Sequence, residues 1–179
     1  MTGRGPAAGQ TETRYATPFA VLGIVSDGQV ITSLRYLPRS TAALAPQDRV
    51  AERACREIER YLADPDYLFT VPYRLDGTPF QCRVWREIEK LREKLREKHR
   101  DTNCSIKTIT YGVMAQRLRS GPRAVGGACG ANPIPLIVPC HRVLAAGGGL
   151  GGFMGGKDPF ALSVKRWLLQ HEGILKADH

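Results

Sequence analysis

Five consecutive residues, Gly77-Thr78-Pro79-Phe80-Gln81, constrain this chain more than any others. The Thr78 side chain can accept from the backbone of Gln81, and the Gln81 side chain can reach back to the Thr78 N–H. Pro79 falls at a first-turn position where a helix makes no use of an N–H. A helix therefore starts here, and Phe80, Val84, Ile88, Leu91 and Leu95 follow at helical spacing with Trp85 beside them. A chain of 179 residues has room for one domain or two small ones. The break before Gly77 divides it into an expected flexible tail over residues 1–14, an α/β domain over 15–76 and a second, mainly α domain over 77–175.

In the first domain, residues 20–25 and 30–34 are β-rich and flank Asp27-Gly28, the pattern of a hairpin. Residues 46–64 put Val50, Ala54, Ile58, Tyr61 and Leu62 on one helical face, and Pro65 stops that helix. A short strand is expected over 68–75. This half carries no evident reactive constellation.

In the second domain, residues 86–100 are dense in charge, with Lys-Leu-Arg-Glu at 90–93 repeated at 94–97. They read as a solvated helical extension with i,i+4 pairs. A short helix is expected over 109–119. Ser120-Gly121-Pro122 breaks it, and a third helix follows over 123–131. Helix, tight turn, helix is the outline of a helix-turn-helix, one that any two short helices share. The third helix holds Gly126, Gly127 and Gly130. Each costs about 1 kcal/mol relative to alanine, so close approach to another surface is implied. That surface is either a packed helix or a DNA minor groove about 6 Å wide, which small side chains suit. In the second case Arg123, at the head of the helix, is placed to enter the duplex.

Asn132-Pro133-Ile134-Pro135 ends that helix, and an apolar, strand-like stretch over 136–138 leads into Pro139-Cys140-His141-Arg142-Val143. A thiolate is a strong nucleophile, and a neighbouring base or cation lowers the cost of forming it. Adjacent side chains often point apart, so a buried structural cysteine is the alternative. Residues 147–156 contain seven glycines and a formal G-x-G-x-x-G. Too little chain follows for a βαβ unit, which excludes a dinucleotide site. A mobile loop beside the thiol is expected, with a plain linker as the alternative. Asp158 and Pro159 start the last helix. Leu162, Trp167, Leu168 and Leu169 form its apolar face and Gly173 closes it, with Lys165, His171 and Glu172 as polar members. By itself Glu172 reads as a surface carboxylate.

A hydrophobic share of 42% and an aromatic share of 7% fit a globular core. The net charge of +9 favours a polyanionic partner, nucleic acid or an anionic surface, or it is a plain solvated basic exterior. No apolar run approaches the ~20 residues that span a bilayer, and the polar start lacks a signal-peptide core. The chain is expected to stay inside the cell with its thiols reduced. Its five cysteines, Cys55, Cys82, Cys104, Cys129 and Cys140, form no C-x-x-C pair. A disulfide framework and a zinc site are not expected.

The ordered set Gly77-Thr78-Pro79-Phe80-Gln81 with Val84-Trp85, Thr110-Tyr111-Gly112, Arg123-Ala124-Val125-Gly126, Asn132-Pro133-Ile134-Pro135, Pro139-Cys140-His141-Arg142-Val143 and Trp167-Leu168-Leu169 through His171-Glu172-Gly173 resembles the O6-alkylguanine-DNA alkyltransferases. The resemblance covers about residues 77–173. It implies a ribonuclease-H-like α/β domain followed by a mainly α domain with a winged helix-turn-helix. It also implies irreversible, single-turnover transfer of an alkyl group from guanine O6 in DNA to the protein, a direct-reversal repair without cofactor or metal. Carried over by position, Cys140 is the acceptor, His141 its base through a water, and Glu172 the holder of His141. Tyr111 assists proton transfer to the flipped guanine, and Asn132 links the DNA-binding helix to the reactive loop. Arg123 fills the gap in the base stack. Ala124, Gly126, Gly127, Tyr111 and Arg142 join it at the DNA, and Pro135, Val143, Phe153, Met154 and Gly155 line the pocket.

The implied partner is double-stranded DNA carrying O6-alkylguanine, entered from the minor groove by a monomer able to bind cooperatively, with no membrane. The implied location is cytoplasmic and nucleoid-associated in a bacterium, nuclear in a eukaryote. The charged segment 90–104 is longer than the resemblance calls for. Phe153 stands where tyrosine is frequent, and Met154 where a small polar residue can sit. Two alternatives remain at this level, a non-catalytic binder of damaged DNA and a Cys-His hydrolase.

Overall fold

A computed structural model describes residues 7–98 and 108–176. The chain divides into two compact units, Met1–Asp76 and Gly77–His179. No described helix is long and apolar enough to cross a membrane.

The first unit is a three-stranded antiparallel sheet, β1 (Thr11–Ala16), β2 (Val21–Ser26) and β3 (Ile31–Leu37), with helix α1 (Arg49–Ala63) against β2. Every residue of β2 is buried, from Val21 to Ser26, and its near-continuous apolar run is that of a central strand without a solvated face. The β2–β3 turn forms because the Asp27 carboxylate accepts from the Gln29 and Val30 N–H groups, at 3.0 and 2.9 Å. Helix α1 starts at Arg49, later than expected, because Asp48 caps it by accepting from Ala51 N at 2.8 Å.

Two expectations need correction here. Residues 1–6 of the expected tail lie outside the described residues, but Thr11–Ala16 is a strand, paired with β2 from Thr11 opposite Ser26 to Ala16 opposite Val21. Its polar sequence hides this, since β2 supplies the partners for its backbone and Thr13 is buried. Residues 68–75 form no regular strand, only a parallel bridge between Tyr73 and Ile31. Pro72 has no N–H to give a ladder, and the N–H groups of Thr70 and Val71 are taken by the buried Glu57 carboxylate, at 2.7 and 2.9 Å.

The second unit contains α2 (Pro79–Lys98), β4 (Ile109–Thr110), α3 (Tyr111–Arg117), α4 (Pro122–Gly130), β5 (Val143–Leu144) and α5 (Pro159–His171). Thr78 N donates to Gln81 Oε1 at 2.8 Å, and Gln81 N to Thr78 Oγ1 at 3.3 Å, the reciprocal cap that its residues require. The α2 helix runs to Lys98, and residues 99–104 of the charged segment lie outside the described residues. Ile109 and Thr110 are not helical as expected. They pair in parallel with Val143 and Leu144, and the Thr110 hydroxyl caps α3. Trp85, fully buried, donates to the Ala128 carbonyl at 2.8 Å and ties α2 to α4. Helices α3 and α4 pack together across the turn at residues 118–121. The core of the unit is Val84, Ile88, Met114, Val125, Ile134, Val138, Val164, Leu168 and Leu169, all fully buried.

Candidate functional site

Helix α4 ends at Gly130, and the chain then turns tightly rather than forming the strand expected over 136–138. Asn132 causes this. Its Oδ1 accepts from Ile134 N at 3.0 Å and its Nδ2 donates to the Val138 carbonyl at 2.8 Å. Prolines at 133 and 135 remove two donors a strand would use, and Leu136 takes a left-handed φ of 75°. The loop delivers Cys140 into a short 3-10 turn, Cys140–Arg142.

Cys140 is 3% exposed and stands in the wall of a cavity of about 610 Å³. Burial pushes its thiol above the ordinary range, while the Asn132 side chain and the charge of Lys165 favour the thiolate. Helix α4 provides one wall through Arg123, Gly126, Gly127 and Cys129. The glycine-rich segment opposite provides another through Gly151, Gly152, Phe153 and Met154. Tyr111, at the start of α3, enters from a third side and donates its hydroxyl to the Gly152 carbonyl at 3.1 Å.

Behind the thiol, His141 is fully buried and its Nε2 lies 2.9 Å from Glu172 Oε1. Arg142 donates through Nε to Glu172 Oε2 at 2.9 Å and through Nη2 to Oε1 at 3.0 Å. Burial raises the Glu172 carboxyl, but His141 and Arg142 outweigh it and hold the group well below the usual carboxylate range. Burial lowers the His141 imidazole, so the ring is neutral at physiological pH. An ionised carboxylate only accepts, so the ring proton sits on Nε2. His141 Nδ1 is then a lone pair, buried and without a protein partner among the described residues. This group can act as a base on the side of the ring away from Glu172.

Cys140, Tyr111, Arg123, Gly126, Gly127, Phe153, Met154 and Gly155 come together at the cavity, with His141, Glu172 and Asn132 as the supports behind it. Ala124 is exposed on α4 beside Arg123. Three expectations are corrected. Arg142 is 4% exposed and bound to Glu172 through two nitrogens, so it is not available to DNA. Val143 and Pro135 are buried outside the cavity wall, Val143 because it pairs with Ile109 in β5 and Pro135 because it closes the Asn132-pinned turn. Glu172, read alone as a surface group, is 5% exposed.

Sequence reasoning missed Cys129, Ala145 and Lys157 in the wall, and Lys165 behind it. Cys129 had a signal, since it lies three residues after Gly126 on the same short helix. Among the described residues, no three His, Cys, Asp or Glu side chains group as a metal site.

Two glycines owe their place to close approach. A Cβ on Gly130 would meet Gly155 Cα at 2.8 Å, backbone against backbone. One on Gly151, at φ +68°, would meet the Tyr111 ring at 2.9 Å. Gly127 by contrast has nothing within 4 Å of that position and faces outward. Gly130→Ala is therefore expected to destabilise by about 1–3 kcal/mol and to displace the 151–156 segment, read as a lowered melting temperature with slower reaction at Cys140. An unchanged melting temperature would contradict the packing argument.

Residues 105–174 match the family model described as 6-O-methylguanine DNA methyltransferase, DNA binding domain. The chain is 34% identical to a methylated-DNA–protein-cysteine methyltransferase of Haemophilus influenzae over 170 residues, 90% of this chain and 86% of the relative. It is 30% identical to one of Metallosphaera sedula over 162 residues, 90% of this chain and 92% of the relative. A crystal structure of Mycobacterium tuberculosis OGT in complex with DNA superposes with a TM-score of 0.66 at 32% identity, covering 93% of this chain and 95% of that one.

Proposed function

The chain belongs to the methylated-DNA–protein-cysteine methyltransferases and repairs DNA by direct-reversal alkyl transfer; on that premise we propose that Cys140 is the acceptor and that it takes the group once and for good. The observation that carries this reading is the alignment behind the thiol. Glu172 fixes the proton on His141 Nε2, which leaves Nδ1, on the residue next to Cys140, as a basic lone pair with no protein partner among the described residues.

The steps follow from these groups. A water passes the Cys140 proton to His141 Nδ1, and the imidazolium that forms is stabilised by Glu172. The Cys140 sulfur attacks the alkyl carbon of O6-alkylguanine. A C–S bond forms, the C–O bond breaks, and the electron pair moves to the purine. Tyr111 donates a hydrogen bond to the purine as that charge develops. Burial and the nearby Cys129 and Cys140 sulfurs raise the Tyr111 pKa, so the hydroxyl stays protonated as a donor. The thioether product has no carbonyl for water to attack, and the protein does not turn over.

The lesion is unreachable within the duplex, so the nucleotide is flipped into the cavity. The α3–turn–α4 pair acts as a helix-turn-helix, within a winged arrangement completed by β4 and β5. Its second helix lies in the minor groove, where the exposed Gly127 and Ala124 allow close approach. Arg123 occupies the space the base leaves. The unit that carries β1 to β3 and α1 and ends at Asp76 is the α/β, ribonuclease-H-like domain, and residues 77–175 are the reactive one. The protein acts as a monomer in the DNA-containing compartment, the cytoplasm in a bacterium or the nucleus in a eukaryote.

The test is to incubate the protein with duplex DNA carrying O6-methylguanine and map peptide masses. One methyl on the Cys140 peptide, at most one per chain, is expected. Repeated turnover, or cleared lesions with an unmodified Cys140, would overturn the proposal.

Arg123→Ala is expected to slow repair of duplex DNA by at least about tenfold, since the flipped state then lacks what fills the stack. Its reaction with a free alkylated base is expected to be nearly unchanged. Equal losses on the two substrates would remove Arg123 from the stack.

A further inference from the structure

Lys165 is a fully buried lysine with no carboxylate partner among the described residues. It lies on the buried face of α5 with Ala161, Val164, Leu168 and Leu169, and its ammonium donates to three backbone carbonyls. These are Val143 at 2.7 Å, Leu150 at 2.6 Å and Gly152 at 3.1 Å. It also lies over the Tyr111 and Phe153 rings, 5.7 and 5.9 Å from their centroids. Three N–H donors meet three carbonyls, so the charged form is saturated and a neutral amine, with two N–H groups, would leave one carbonyl unpaired.

One of those carbonyls is shared. Gly152 accepts from Lys165 and also from the Tyr111 hydroxyl, both at 3.1 Å. If Tyr111 is to donate to a purine, its hydroxyl must leave that carbonyl. A buried carbonyl abandoned by its only donor would resist the change, whereas one still held by an ammonium does not.

We propose that Lys165 is a positioning residue for alkyl transfer: it pins the Val143, Leu150 and Gly152 carbonyls to α5 and keeps Gly152 satisfied when the Tyr111 hydroxyl turns to the substrate. This rests on the assignment of Cys140 as acceptor and Tyr111 as donor. The ionisable groups facing the ammonium are the Cys140 and Cys129 thiols, His141 and the Tyr111 hydroxyl. Burial lowers the Lys165 amine to about 8, with the two cysteines opposing. The staple is therefore complete at neutral pH and is lost as the pH rises through that value.

The experiment measures single-turnover methyl transfer, from neutral to mildly alkaline pH, for the parent, Tyr111→Phe, Lys165→Met and the double variant. Tyr111→Phe is expected to cost on the order of a hundredfold in the parent. The same change is expected to cost much less in the Lys165→Met background, where the hydroxyl is needed by Gly152. The parent is expected to slow above about pH 8, and Lys165→Met to lack that decline. Equal factors in both backgrounds, as a purely structural lysine would give, overturn the proposal. Should Lys165→Met not fold, the parent and Tyr111→Phe decide alone. An alkaline decline in the parent that is weaker in Tyr111→Phe supports it, and no decline in the parent overturns it. A Tyr111→Phe protein that transfers at full rate sinks the Tyr111 assignment and the proposal with it. A methyl found elsewhere than Cys140 sinks the acceptor assignment, which separates the two failures.

Discussion

Cys140→Ala is expected to lose methyl transfer altogether while folding and binding duplex DNA as the parent does. The sulfur is the attacking atom, and neither Cys129 nor Cys55 is equipped to replace it. Cys129 stands in the same cavity wall, but burial drives its thiol far above the ordinary range, and the Asn132 hydrogen bond that favours the thiolate against burial is at Cys140. Cys55 lies in the other unit, with its thiol pushed by burial to about 11. Removing one buried sulfur leaves a small void, with an expected cost of about 1 kcal/mol. Peptide mapping after incubation with methylated duplex, beside a thermal melt, reads both quantities. A methyl appearing on Cys129 of the variant would mean that proximity to the flipped base selects the acceptor, and the role given to His141 and Glu172 would fall.

Glu172→Gln is the second large effect, and it strikes stability and reaction together. The carboxylate accepts from His141 Nε2 and from two Arg142 nitrogens, with side-chain exposures near 4% on all three residues or below. Removing the charge leaves the Arg142 guanidinium buried without compensation, a loss of about 3–5 kcal/mol. It also frees the imidazole to take the other tautomer, which would place a proton where the base is needed. Transfer is expected to fall by on the order of a hundredfold or more. The sign of the pH dependence follows from the depressed carboxyl. Its stabilisation is complete above the carboxyl pKa of the unfolded chain and is lost as the pH falls through the lower folded value. The gap between parent and variant is thus full at neutral pH and closes only in strong acid. Chemical denaturation at neutral and at acid pH checks this. A variant as stable as the parent at neutral pH would show that the buried cluster contributes specificity alone.

Much of the site was legible in order along the chain, because helix caps and turn residues act over three or four residues. Thr78 with Gln81 and Asp158 with Ala161 make the bonds their spacing requires. The buried stripe of α5 also runs at helical spacing through Ala161, Val164, Lys165, Leu168, Leu169 and Glu172. A lysine and a glutamate on that stripe were the signal that polar groups are used inside, and reading each residue singly as polar obscured it. Strand β1 was missed because its mostly polar residues show no apolar alternation, and only pairing with β2 makes it a strand. Residues 68–75 and 136–138 were over-read because β-rich composition does not register where Glu57 and Asn132 send their hydrogen bonds.

Sequence alone determined the division before Gly77, the starts of α2 and α5 and the glycine-bearing α4, since each depends on neighbours within a turn or two. Tertiary structure alone decided which way Arg142 points, that Lys165 is inside, and that His141 meets Glu172 31 residues on. The reason is desolvation. A charged side chain enters the interior only where several distant groups converge to satisfy it, and that convergence is a property of the packed chain.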